Sequence, residues 1–172
     1  MAKRRTRVLL IVAAAVVVVL VGVAGLFVWA YQHFVDRERF SAVDGAITIE
    51  HHTAPGLGDI LVTNKGYPLY MFPPDHQSEV TCTGNCAENW PPIVVPASTR
   101  LKAGAGVRAD LLGTRTAPNG KHVATYHGWP LYVFIGDDKP YKATGQGEVT
   151  DGGAWYVLNP AGDVVTTGGK HS

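Results

Sequence analysis

The chain is 172 residues long, 46% hydrophobic and 17% charged, with a formal net charge of +1. That length suits one domain with an appendage, because a single core usually takes about 100–150 residues. Lys3, Arg4, Arg5 and Arg7 precede residue 8, leaving eleven Lys and Arg against fourteen Asp and Glu beyond it; this disfavours a nucleic-acid binder, and the apolar content disfavours intrinsic disorder.

Residues 8–31 carry no charge and are rich in Val, Ala and Leu. As a helix rising about 1.5 Å per residue, the run crosses a hydrocarbon core of about 30 Å with some tilt. Phe27, Trp29 and Tyr31 stand at its far end, where amphipathic rings favour the headgroup layer. The basic cluster before the run places tail 1–7 in the cytoplasm and everything beyond about residue 35 outside. The expectation is a signal anchor crossing a bacterial cell membrane once, and this membrane is the first expected partner. A cleaved signal peptide is the alternative, with Val28-Trp29-Ala30 offering small residues at the two inspected positions. No Cys stands just after the run, so lipid modification there is closed.

Residues 32–56 read as a tether, first charged and then carrying a possible strand at 46–50. His51 and His52 fall in it as surface residues, beside Gly56 and Gly58, which argue for flexibility. Residues 57–167 read as the exported domain and 168–172 as a tail. From Gly45 onward the chain holds all eleven prolines and eighteen of the twenty glycines, so turns dominate helices. Short β-rich runs fit between them at 60–63, 68–72, 122–126, 130–135 and 155–158. No long soluble helix is expected, though residues 108–112 suit a single turn.

A repeat organises this part. Gly66-Tyr67-Pro68-Leu69-Tyr70-Met71-Phe72-Pro73-Pro74-Asp75 recurs 62 residues later as Gly128-Trp129-Pro130-Leu131-Tyr132-Val133-Phe134-Ile135-Gly136-Asp137, with six identities in ten. Each copy follows a strand and a glycine turn, and each is followed by a tryptophan, Trp90 or Trp155. The expected fold is therefore all-β: two pseudo-symmetric hairpin repeats near 60–96 and 122–160, with long loops. Period-2 alternation puts Leu69 and Met71 on one face and Tyr70 and Phe72 on the other. Two readings stand: a strand covered on both sides, or an exposed aromatic face. Tyr67, Tyr70, Phe72, Trp90, Trp129, Tyr132 and Phe134 are its candidate binding residues. Asp75 and Asp137 end the motif strands, and the expected role is a turn in which each carboxylate accepts backbone N–H bonds two residues on.

The doubled Gly-aromatic-Pro-Leu-Tyr-x-Phe-x-x-Asp block resembles a bacterial family of predicted lipoproteins with a Tyr-x-(Phe/Trp/Tyr)-x-x-Asp motif, the secreted repeat of unknown function. Thr81-Cys82-Thr83-Gly84-Asn85-Cys86, Asn89-Trp90-Pro91-Pro92, Ala109-Asp110-Leu111-Leu112-Gly113-Thr114 and Gly145-Gln146-Gly147 are similar to that family too. The resemblance spans about residues 58–165 and implies a compartment and a fold, not a reaction. A helix replaces the lipidated Cys here, and Ala117-Pro118-Asn119-Gly120 replaces the more usual hairpin tip.

Cys82 and Cys86 are the two cysteines, and an oxidising compartment makes a disulfide the default. The alternatives are a redox-active pair or a Cu(I) site completed by His76 or Met71. No nucleophile elbow or phosphate-cradling glycine loop is present, so an enzyme is the poorer reading. The expectation is a membrane-anchored, non-catalytic envelope module without a cofactor that binds a partner or a small ligand. The alternative is a redox or copper-handling protein.

Overall fold

The computed structural model describes residues 22–27, 39–40, 42–77 and 79–168. The chain divides into two units, Met1–Val35 and Asp36–Ser172. In the first, residues 22–27 are helical. The rest of the expected anchor lies outside the described residues, and no described helix is long and apolar enough to cross a membrane.

In the second unit Ile47 and Ile49 alternate with more exposed neighbours and are buried, which drives β1 (Ala46–Ala54) to lay one side on the core. It turns through Gly56 and Gly58, both at φ +75°, and pairs antiparallel with β2 (Gly58–Thr63), Ile49 opposite Thr63. The segment 32–56 is thus not a tether throughout. Residues 46–54 are the central strand of a sheet ordered β2-β1-β4, with β4 (Arg100–Ala103) parallel to β1. Upstream, Phe40 is buried in the core, and the Arg39 guanidinium donates to the carbonyls of Ile135 and Asp137 at 2.6 and 3.2 Å.

The chain then enters β3 (Tyr70–Met71), a 3-10 turn at Pro73–Asp75 and the short helix α1 (Asn85–Asn89). This helix was not expected from the sequence. A second 3-10 turn, Ala109–Leu111, falls where one turn was expected. β5 (Leu112–Thr116), β6 (His122–Tyr126) and β7 (Trp129–Pro130) form the second three-stranded sheet. β8 (Val149–Thr150) pairs with β9 (Gly153–Ala154), and β10 (Tyr156–Val157) pairs with β3. The second motif strand is shorter than expected. Prolines remove ladder donors on either side, and only isolated bridges continue from Tyr132 to Tyr70 and Pro92.

The two repeats share one plan. Val62 opposes Pro68 in the first hairpin, as Thr125 opposes Pro130 in the second. They meet at a local two-fold axis, where Tyr70 N–H donates to the Tyr132 carbonyl at 2.9 Å and Tyr132 N–H returns the bond at 3.0 Å. The segments after the tryptophans change sides. Ile93, following Trp90, bonds Leu131 and Ala124 of the second hairpin at 2.9 and 2.8 Å. Leu158, following Trp155, bonds Leu61 and Leu69 of the first at 2.8 and 3.4 Å. Neither repeat closes without the other.

Alternation along the motif strands feeds two apolar clusters. Leu69, Met71, Leu131 and Val133 enter one, and Tyr70, Phe72, Trp90, Tyr132 and Trp155 enter the other. Both faces are covered, so the exposed aromatic face does not form: a two-sided apolar strand gains more by burial on each side.

Candidate functional site

The motif tyrosine of each repeat lies on the aromatic face, and its phenol reaches across the axis. Tyr70 O–H donates to Asp137 Oδ2 at 2.9 Å, and Tyr132 O–H donates to Asp75 Oδ2 at 2.8 Å. The other oxygen of each carboxylate takes two bonds from a threonine. Asp75 Oδ1 accepts from Thr81 N–H at 2.8 Å and its hydroxyl at 2.6 Å; Asp137 Oδ1 accepts from Thr144 at the same two distances. The expected bond to an N–H two residues on is not what forms. The carboxylates close loops six and seven residues long, because a fully buried carboxylate needs every lone pair met and distant donors meet them.

Burial raises the pKa of both aspartates above the ordinary 3.8, opposed by the threonine and tyrosine bonds. Glu79 adds to the rise at Asp75, while the Arg39 charge counters it at Asp137. Both tyrosines are pushed far above their ordinary range, first by burial and then by the neighbouring carboxylate, so they stay protonated donors.

Four rings stack through the axis in the order Phe72, Trp155, Trp90, Phe134, with centroids 4.3, 4.0 and 4.1 Å apart. The two indoles are parallel within 2°. Tyr70 stands edge-on to Trp90 and Tyr132 edge-on to Trp155, each at 5.2 Å. Among the described residues neither indole N–H has a hydrogen-bond partner. Of the candidate binding residues, Tyr70, Phe72, Trp90 and Tyr132 are buried. Phe134, Tyr67 and Trp129 are half-buried against the two clusters, Tyr67 beneath the Arg39 guanidinium at 5.3 Å.

Cys82 and Cys86 are joined in a disulfide with Cα atoms 5.3 Å apart. Gly84, at φ 57°, bends the enclosed loop into α1, and Trp90 N–H closes it on the Cys86 carbonyl at 2.8 Å. His76 is exposed just after the 3-10 turn, and Met71 packs in the other cluster from both cysteines. The four residues of the copper alternative are therefore not gathered. Among the described residues no three His, Cys, Asp or Glu come together as a metal site.

Beside the disulfide lies a groove of about 400 Å³. Cys82, Thr83 and Gly84 border it, as do Ala117, Pro118 and Lys121 of the β5–β6 turn, with Val94 bridged to Val123 between them. Its walls are mainly apolar, and the exposed Lys121 supplies a cation at the rim.

Residues 53–94 and 113–159, together more than half of the chain, match two copies of a family described as a secreted repeat of unknown function. The chain belongs to this family. No curated protein and no solved structure matches it. Each copy of the secreted repeat ends just past its tryptophan segment, so each includes the piece that docks on its partner hairpin. The Tyr-x-Phe-x-x-Asp segment of each copy is here half of a crossed clasp: each copy lends its tyrosine to the other copy's aspartate.

Sequence reasoning made no hydrogen-bonding assignment to Thr81 or Thr144 and no binding assignment to Pro118 or Lys121. A signal for the threonines was available, since one follows each motif aspartate by six or seven residues. The groove had no such signal, because its sides come from segments some thirty residues apart. His51 and His52 sit on β1, His52 against the Tyr141 ring at 4.2 Å. His122 and His127 lie apart, bonded to Thr116 at 3.3 Å and to the Gly162 carbonyl at 3.2 Å.

Proposed function

We propose that this protein is a single-pass, membrane-anchored envelope module whose exported domain binds, rather than transforms, a small ligand. The groove beside the disulfide carries the proposal. Its volume suits a small-molecule site, which typically has about 300–1,000 Å³ and mostly apolar walls with few polar groups. An apolar body with an anionic end matches it, the body against Val94, Ala117 and Pro118 and the charge toward Lys121. The motif's tyrosines and aspartates bond one another in the core, which supports placing the ligand elsewhere, at the groove. Membership of a secreted family and the charge-free run behind a basic tail support the orientation, with the N-terminus in the cytoplasm.

The test uses hexanoate as probe and the full chain held in lipid nanodiscs. Chemical-shift changes are expected at Val94, Ala117 and Lys121. Lys121→Gln should weaken binding, and Val94→Trp should fill the groove and abolish it. Shifts scattered over the surface, or unaltered by Val94→Trp, would overturn the site. A reporter active only in the cytoplasm, fused after Ser172, should stay inactive; activity would overturn the orientation.

A further inference from the structure

The centre of the domain holds more than apolar packing. Two fully buried indoles overlap in parallel, each is touched by a phenol, and each phenol donates its hydroxyl hydrogen bond to a carboxylate. We propose that Trp90, Trp155, Tyr70 and Tyr132 form a one-electron relay that captures the hole left by an oxidising radical and stores it as a tyrosyl radical. The co-reactant is a small one-electron oxidant of the envelope space, such as an oxygen- or nitrogen-centred radical.

In the first step the oxidant takes one electron from the indole pair, becoming reduced, and an indole radical cation remains. Overlap at 4.0 Å spreads that charge over both rings. In the second step a tyrosine gives one electron to the indole and its hydroxyl proton to the aspartate: Tyr70 to Asp137, or Tyr132 to Asp75. The products are a neutral indole, a phenoxyl radical and a carboxylic acid, so charge and protons balance. A soluble one-electron donor of the thiol or ascorbate class reverses this, and the aspartate returns the proton to the phenoxyl oxygen.

The hydrogen bonding favours this direction of transfer. Among the described residues neither indole N–H has an acceptor, so the radical cation keeps its proton and remains a strong oxidant. Each phenol does have an acceptor, at 2.8–2.9 Å, within reach for proton transfer. Burial makes both carboxylates more basic than usual, which aids acceptance. Half-buried Phe134 ends the stack and brings its π system toward the surface. The two-fold plan doubles the device, with one indole–phenol–carboxylate set on each side of the axis.

The experiment is pulse radiolysis of the full chain in nanodiscs, with azide radical as the oxidant. Indolyl absorption should decay as phenoxyl absorption rises, at a rate independent of protein concentration. The paired change Tyr70→Phe with Tyr132→Phe should abolish most of the phenoxyl and prolong the indolyl signal. Asp75→Asn with Asp137→Asn should slow the conversion roughly tenfold or more by removing the proton acceptors. In the unaltered protein, transfer should also be slower in D₂O, a readout that does not depend on how the variants fold. Phenoxyl unchanged in the double Phe variant, or no slowing in D₂O, would overturn the relay.

Discussion

The two repeats agree where they touch the axis and part company one strand farther out. In the second, Val157 lies opposite Tyr70 and its N–H needs an acceptor; Gln146 Oε1 supplies one at 2.9 Å. The same amide donates to the carbonyls of Val165 and Thr167 at 2.5 and 3.1 Å, stapling the C-terminal segment. In the first repeat the matching bridge to Tyr132 is made by Pro92, which has no N–H to satisfy. Counted from the threonine that binds each aspartate, Thr83 follows Thr81 as Gln146 follows Thr144, and Thr83 is exposed. One proline thus removes the need for an acceptor like Gln146 from this loop. That loop carries the disulfide and borders the groove, while its counterpart is tied into the core. The axis is held by symmetric chemistry, and one strand farther out the repeats differ where a donor has been removed.

The sharpest way to break this comparison is to strike the axis. Trp90→Ala and Trp155→Ala each empty one half of the indole pair and should each cost about 3–5 kcal/mol. Urea unfolding of the full chain in detergent, followed by circular dichroism, measures both. Losses that differ by more than about 2 kcal/mol would mean that the repeats do not share the core equally.

Next comes the point of departure itself. Gln146→Ala leaves the Val157 N–H buried and unpaired, a loss of about 1–3 kcal/mol. Thr83→Ala, at the matching position, should stay within about 0.5 kcal/mol. Equal losses would refute the role given to Pro92. Opening the disulfide with Cys82→Ser and Cys86→Ser should cost about 2 kcal/mol or less, because a loop this short constrains the unfolded chain little. The second repeat holds its equivalent loop without a bridge, so cooperative unfolding should persist, read by the same titration.

How much of this was legible follows from what a repeat can reveal. Similar segments disclose similar local structure, so the hairpins, the two apolar faces of each motif strand and the Cys pair were readable. Partner choice was not. Tyr70 faces two chemically identical options, Asp75 and Asp137, and only assembly about the axis selects the latter. The exchange of the Trp90 and Trp155 segments is hidden for the same reason. β1 was half-missed because Gly56 and Gly58 read as flexibility, whereas their positive φ builds the turn that returns β2 to β1. α1 is a little over one turn, too short to carry an apolar period, and it follows the glycine bend that the disulfide encloses.

The smallest expected effect separates the two carboxylates by their surroundings. Both have folded-state pKa values raised above 3.8, so each binds its proton more tightly in the folded chain than in the unfolded one. Their contribution to stability is therefore fully present below the unfolded value. It is lost as pH rises through the raised folded value. The loss is modest because three hydrogen bonds to each carboxylate favour the charged form and offset much of the burial. Taking the urea stability of the unaltered chain minus that of Asp75→Asn with Asp137→Asn cancels the other carboxylates, and this difference should fall with rising pH. A flat or rising difference would overturn the burial account. The neighbours then sharpen the contrast between repeats. Removing the Arg39 charge with Arg39→Gln should steepen the fall that belongs to Asp137, since that charge favours the ionised carboxylate. Removing the Glu79 charge with Glu79→Gln should flatten the fall that belongs to Asp75, whose ionisation it opposes. Opposite responses to the two changes are what unequal electrostatic surroundings around one repeated clasp require.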